Sequence, residues 1–119
     1  MSEIKSYKDL IVWQKSINLV TKIYSLTENF PKEEIYALTN QMRRCAVSIP
    51  SNIAEGRGRG TRKDFAQCIR IALGSANELE TQIEISKRLP KTKMLDFVEI
   101  EQLLIEVIKM LKTMTKSLL

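Results

Sequence analysis

Phe97-Val98-Glu99-Ile100-Glu101-Gln102-Leu103-Leu104-Ile105-Glu106-Val107-Ile108-Lys109-Met110-Leu111-Lys112-Thr113-Met114-Thr115-Lys116-Ser117-Leu118 decides the fold class. Phe97, Ile100, Leu104, Val107, Leu111, Met114 and Leu118 recur at spacings of three and four. That rhythm stacks them on one side of a helix. Leu103, Ile105, Ile108 and Met110 widen the same face. Pro90 is the nearest breaker upstream, so the spacing predicts a helix over about 92–118.

Towards the N-terminus the same reading repeats. Phe65, Ile69, Ala72, Ala76, Leu79 and Ile83 alternate by four and three, and predict a helix over about 62–89. Thr61 with Asp64 three residues on resembles a capping box at its start. Gly74 lies inside this helix, where it costs about 1 kcal/mol relative to Ala, so a packing reason is expected for it. Ile35, Leu38, Met42, Cys45, Ile49 and Ile53 predict another helix over about 33–55, ended by Gly56. Pro50 inside it has no N–H for the ladder and is expected to kink it. The first segment, about 9–27, carries two apolar rows: Leu10, Trp13, Ile17, Val20 and Tyr24, and beside them Val12, Leu19, Ile23 and Leu26. Two adjoining rows cover roughly half the circumference, more than a small bundle needs. No segment alternates as a strand does. The chain therefore reads as one all-α domain, 1–119, an up-down-up-down antiparallel four-helix bundle. Its surplus apolar width points to self-association.

Composition narrows the chemistry. The 119 residues hold no histidine, which removes the imidazole of nucleophile pairs, of His-liganded zinc and of a near-neutral pH switch. Cys45 and Cys68 stand far apart, in no CxxC pattern, and read as small buried apolar residues. Glu78, Glu80 and Glu84, with Glu99, Glu101 and Glu106, lack the Glu-x-x-His pairs of a di-iron bundle. No nucleophile, base and orienting group can be named together, so no enzyme, metal or cofactor is expected. No apolar run approaches the roughly 18 residues of a membrane span. Met1-Ser2-Glu3-Ile4-Lys5 does not resemble a leader, and a cytoplasmic protein away from membranes is expected.

Charge is uneven within a net +5. Six of the seven arginines fall between residues 43 and 70, whereas Glu78 to Glu106 holds seven acidic residues against four basic. Arg57, Arg59, Arg62 and Lys63 surround the glycines Gly56, Gly58 and Gly60, before a helix N-terminus that itself favours anions. Arginine's planar fork suits phosphate. No GxxxxGK[ST] loop occurs, and the aromatics are committed to helix stripes. Backbone contact with RNA or DNA, of weak sequence preference, is therefore expected through Arg43, Arg44, Arg57, Arg59, Arg62 and Lys63. The alternative is a scaffold or accessory subunit whose basic patch receives an acidic protein. Arg43 also has Glu33 or Glu55 as candidate ion-pair partners, and a basic turn can serve solubility alone.

Several strings carry a family resemblance. They are Asp9-Leu10-Ile11-Val12-Trp13-Gln14-Lys15, Ile23-Tyr24-Ser25-Leu26-Thr27 and Phe30-Pro31, then the run from Gln41 to Gly56 (QMRRCAVSIPSNIAEG), then Gly74-Ser75-Ala76-Asn77-Glu78-Leu79. Across about residues 7–85 the chain resembles the bacterial four helix bundle protein family, also called 23S rRNA intervening-sequence proteins. Cys45 stands where alanine is common. The resemblance implies a ring-shaped homopentamer, no catalytic activity, and a "ribosomal protein" label that does not itself place the chain in a ribosome. A related type, the accessory protein of diversity-generating retroelements, binds nucleic acid and a reverse transcriptase, so such an enzyme or a ribosomal component is an implied partner. Only Arg43, Arg44 and Arg59 can be carried over by position. Asn52 and Glu55 are expected to satisfy backbone groups opened by Pro50, and Gln41 and Arg43 to bridge protomers.

Overall fold

The apolar stripes close on one another as four helices in a computed structural model that describes residues 5–118. They are α1 (Ile11–Thr27), α2 (Leu38–Gly58), α3 (Arg62–Arg88) and α4 (Val98–Leu118). Among the described residues there is no strand. Met1–Ile4 and Leu119 lie outside the described residues, and with them most of the N-terminal stretch read for a leader. Each helix packs on the next, and α1 also packs on α4, giving a rod of 46 × 26 × 20 Å. The start of α3 touches the end of α4 where Arg62 donates to the Ser117 carbonyl. One end of the rod therefore gathers the start of α1, the α2–α3 turn and the end of α4.

The core follows the stripes with one exchange. Val12, Leu19, Ile23 and Leu26 are the buried row of α1, joined by Ser16. Leu10, Trp13, Ile17 and Val20 are only half-buried, and Tyr24 is 40% exposed. Met42, Ile49 and Ile53 of α2, Ile69, Leu79 and Ile83 of α3, and Leu104, Val107 and Leu111 of α4 close the centre. Cys45 and Cys68 are both free and buried, as expected of small apolar residues.

Three boundaries differ from the sequence expectation. Helix α2 begins at Leu38, not 33, because Lys32–Glu34 winds as a tighter 3-10 turn and Ala37 leaves helical geometry at φ −122°, ψ −104°. Ile35 consequently lies outside the stripe and is exposed. Helix α2 also runs through Gly56 to Gly58, with Pro50 buried inside it. Gly56 does not break the helix but permits contact with α3, since a Cβ there would sit 2.6 Å from Cys68 Cβ. The chain reverses instead at Gly60, whose φ of +82° is the left-handed conformation glycine adopts freely. Helix α4 starts at Val98 and not near 92. Thr92 is buried in the loop, its hydroxyl donating to Ser86 O at 2.6 Å, and Asp96 accepts from the Val98 N–H at 3.0 Å. Thr61 does cap α3, accepting from Asp64 N–H at 3.1 Å.

Candidate nucleic-acid interface

Antiparallel packing sorts the charge by height. The half of the rod built from residues 5–18, 49–74 and 109–118 carries eleven Lys and Arg against three Asp and Glu. The other described half, 19–48 and 75–108, carries eight against ten. Much of that acid is spent laterally, in Lys22–Glu99, Lys87–Glu101 and Lys91–Glu33 pairs that link neighbouring helices and loops. Such exposed pairs contribute little stability each. They nevertheless leave the basic end with few counter-charges.

The six expected contact residues divide into three groups. Arg57, Arg59, Arg62 and Lys63 come together at the α2–α3 turn, all exposed. Among the described residues Arg57 and Lys63 have no ion pair, whereas Arg59 pairs with Glu55 one turn back. Arg62 is occupied in holding the last carbonyls of α4. The N-terminus of α3 is partly satisfied from within: Asp64 N–H bonds Thr61 Oγ1, and Phe65 N–H bonds the Thr61 carbonyl at 3.0 Å. The anion affinity of this end thus rests on side chains more than on helix N–H groups.

Arg43 belongs elsewhere. Its Nε donates to Thr27 Oγ1 at 2.9 Å, a terminal nitrogen reaches the Tyr24 carbonyl at 3.4 Å, and the guanidinium stacks 4.5 Å from the Tyr24 ring. It closes the C-terminal end of α1, where unpaired carbonyls attract a cation, and pairs with neither Glu33 nor Glu55. Arg44, one residue on, points out of the bundle beside α3 and is exposed. Glu55 serves Arg59, not Pro50. Asn52 donates to the Ser48 carbonyl at 2.8 Å, whereas the carbonyl Pro50 leaves open is that of Ala46.

Lys109, Lys112 and Lys116 are functional candidates that the sequence expectation omits. All three are exposed on the C-terminal half of α4, which Arg62 ties to the same end as Arg57 and Lys63. A signal was available: α4 changes from Glu99, Glu101 and Glu106 to these lysines at its midpoint. The basic surface is therefore made by two hairpin ends meeting, not by one arginine-rich loop.

An all-helical antiparallel bundle with its positive charge at one end is the class these features define. The family model for 23S rRNA-intervening sequence proteins matches residues 8–113, and the chain belongs to that family. It is also similar to a solved protein of unknown function from the S23 ribosomal protein family of Bacteroides thetaiotaomicron. That likeness has a TM-score of 0.77 and 28% identity, and covers 89% of this chain and 99% of the other. No curated protein matches the chain.

Proposed function

We propose that this is a non-enzymatic, homo-oligomeric nucleic-acid-binding protein of the cytoplasm. It holds RNA or DNA phosphates at its basic end with weak sequence preference, through Arg57, Arg59 and Lys63 joined by Lys112 and Lys116. The observation that carries the reading is the one-ended charge, eleven basic residues against three acidic in one half of the rod. The family's description as proteins of 23S rRNA intervening sequences favours RNA over DNA. Among the described residues no helix is long and apolar enough to cross a membrane.

Self-association supplies the affinity that one small patch lacks. The half-buried row of α1 and the exposed Ile85 and Ile105 beside the α3–α4 groove leave apolar surface that a single copy does not cover. Copies standing side by side in a ring, a pentamer on the family resemblance, gather their basic ends on one face, and weak phosphate contacts then multiply. A ribosomal component or a reverse transcriptase acting on the same nucleic acid would be met at that face.

The test is binding of a generic single-stranded RNA followed by fluorescence anisotropy across a salt series. Affinity should fall steeply with salt, and Arg57→Ala with Arg59→Ala should lower the log–log slope by about 0.7 for each phosphate no longer neutralised, with helicity unchanged. Absence of binding at low salt would overturn the reading in favour of an acidic protein partner.

A further inference from the structure

Away from the basic end, α2 and α3 enclose a cleft of about 280 Å³ lined by Gln41, Arg44, Cys45, Ser48, Ser75 and Glu78. These residues come from the two most distinctive strings of the sequence, yet only Cys45 among them belongs to the core. The floor is fixed by hydrogen bonds. Asn52 Nδ2 donates to Ser48 Oγ at 3.0 Å, and the Ser48 and Ser75 hydroxyls lie 2.9 Å apart, so one of the two keeps its hydrogen free. The Cys45 thiol donates to Glu78 Oε2 at 2.8 Å and accepts from Gln82 Nε2 at 3.5 Å. Burial, then the Glu78 hydrogen bond, push this thiol up to about 11, so it stays protonated and acts as a donor, not as a nucleophile.

Two features mark the cleft as open to a ligand. Gln82 is only 5% exposed, and its Oε1, behind Cys45, has no donor among the described residues. Buried acceptors are rarely left so. At the rim, the Arg44 guanidinium, the Gln41 amide and Glu78 Oε1 have no hydrogen-bond partner among the described residues. The set is therefore a cation, an amide and half a carboxylate over a rigid floor, with room for one planar ring.

We infer that the cleft reads a single unpaired guanine of a bound RNA. The N1–H and N2–H of the base face Glu78, its O6 faces Gln41, and Arg44 takes the adjoining phosphate. Guanine alone among the four bases sets two adjacent N–H donors beside a carbonyl on its pairing edge, and a carboxylate accepts two parallel donors side by side. Adenine and cytosine put a ring-nitrogen acceptor beside their amino group, and uracil flanks one N–H with two carbonyls, so each would turn a lone pair towards Glu78. The inference rests on the RNA-binding reading and adds a base preference to it. The cleft and the basic end share one side of α2: Gln41, Arg44, Ser48, Asn52, Glu55 and Arg59 follow at spacings of three and four. Arg44 and Arg59 are about 22 Å apart along the helix, a distance that one strand can follow. When guanine takes Glu78, the Cys45 thiol has a second acceptor at hand, since the Gln82 carboxamide turned over presents Oε1 to it.

The experiment is titration of the full chain with guanosine, adenosine, cytidine and uridine 5′-monophosphates, followed by amide NMR shifts. Guanosine monophosphate should bind at least about tenfold more tightly than the others, with shifts at Ser48, Ser75 and Glu78. Glu78→Gln should erase that preference, because its amide can set a donor against guanine's donors. Generic RNA binding and its salt slope should stay as in the parent. Equal binding of the four nucleotides, no nucleotide binding, or shifts confined to the Arg57–Lys63 turn would each overturn the inference. The two readings fail separately. Salt-dependent RNA binding without guanine preference removes only the cleft, whereas guanine binding at the cleft without RNA affinity removes only the proposed function.

Discussion

At Gly56 the bundle has no room for a side chain: a Cβ would stand 2.6 Å from Cys68 Cβ and 3.1 Å from the Phe65 ring. Both neighbours are packed, so neither yields cheaply. Gly56→Ala is expected to destabilise by about 1–3 kcal/mol through overpacking, read as a lower urea midpoint. Gly74 is the opposite case, exposed on the outer face of α3 with nothing within 4 Å of where a methyl group would stand. Within the protomer it has no packing reason, and Gly74→Ala is expected to raise stability by up to about 1 kcal/mol. A fall in stability together with a smaller assembly would instead place a second copy against it. Sequence alone could not separate these two glycines. Glycine beside arginine reads as a flexible break, and only the approach of α3 reveals Gly56 as a contact. The same blindness applied to Arg43 and Arg44: adjacent and alike in composition, they point into different surroundings because one helical step turns a side chain by about 100°.

At the scale of elements, the arginine pair gives a sharp test. Arg43 joins α2 to the end of α1 by hydrogen bonds to Thr27 and Tyr24 and by stacking on the Tyr24 ring. Arg43→Ala is expected to cost about 1–3 kcal/mol, lowering the thermal midpoint while RNA affinity per folded molecule is unchanged. Arg44→Ala should do the reverse, leaving stability within about 0.5 kcal/mol and weakening RNA binding. Thermal melts and anisotropy on both variants decide it, and equal effects on stability would contradict the geometry. The helices themselves were legible, because the three-four spacing of Ile69, Ala72, Ala76 and Leu79, or of Ile100, Leu104, Val107 and Leu111, is dictated by burial on one side. Their ends were less so. Leu95 and Phe97 pack on the core from a loop, so the apolar pattern ran on past the true start of α4. Asp96, the residue that caps Val98, was the local signal for that start. Half of the candidate interface was also legible, in the arginines of the α2–α3 turn. The α4 lysines were not, since they join it only when antiparallel packing folds residue 116 back towards residue 62.

At the scale of the molecule, charge and apolar surface make a joint demand. A single chain of 13.7 kDa ends in a basic tip too small to bind phosphates tightly, and it leaves Ile85 and Ile105 at 44% and 47% exposure. Both isoleucines flank a groove between α3 and α4 whose rim carries Glu80, Glu84 and Glu101. If copies meet there, replacing the two isoleucines with glutamate removes the apolar contact and adds like charge to an acidic rim. Ile85→Glu with Ile105→Glu is therefore expected to reduce the solution-scattering mass from a multiple of 13.7 kDa to that of one chain, with helicity intact. RNA affinity should fall by at least about a hundredfold, because linked contacts become independent ones. The salt slope should shrink with it, since fewer phosphates are neutralised per particle. An unchanged mass in the double variant would move the contact to the half-buried row of α1. A parent protein already of single-chain mass at micromolar dilution would remove the ring, and leave the basic tip to bind on its own.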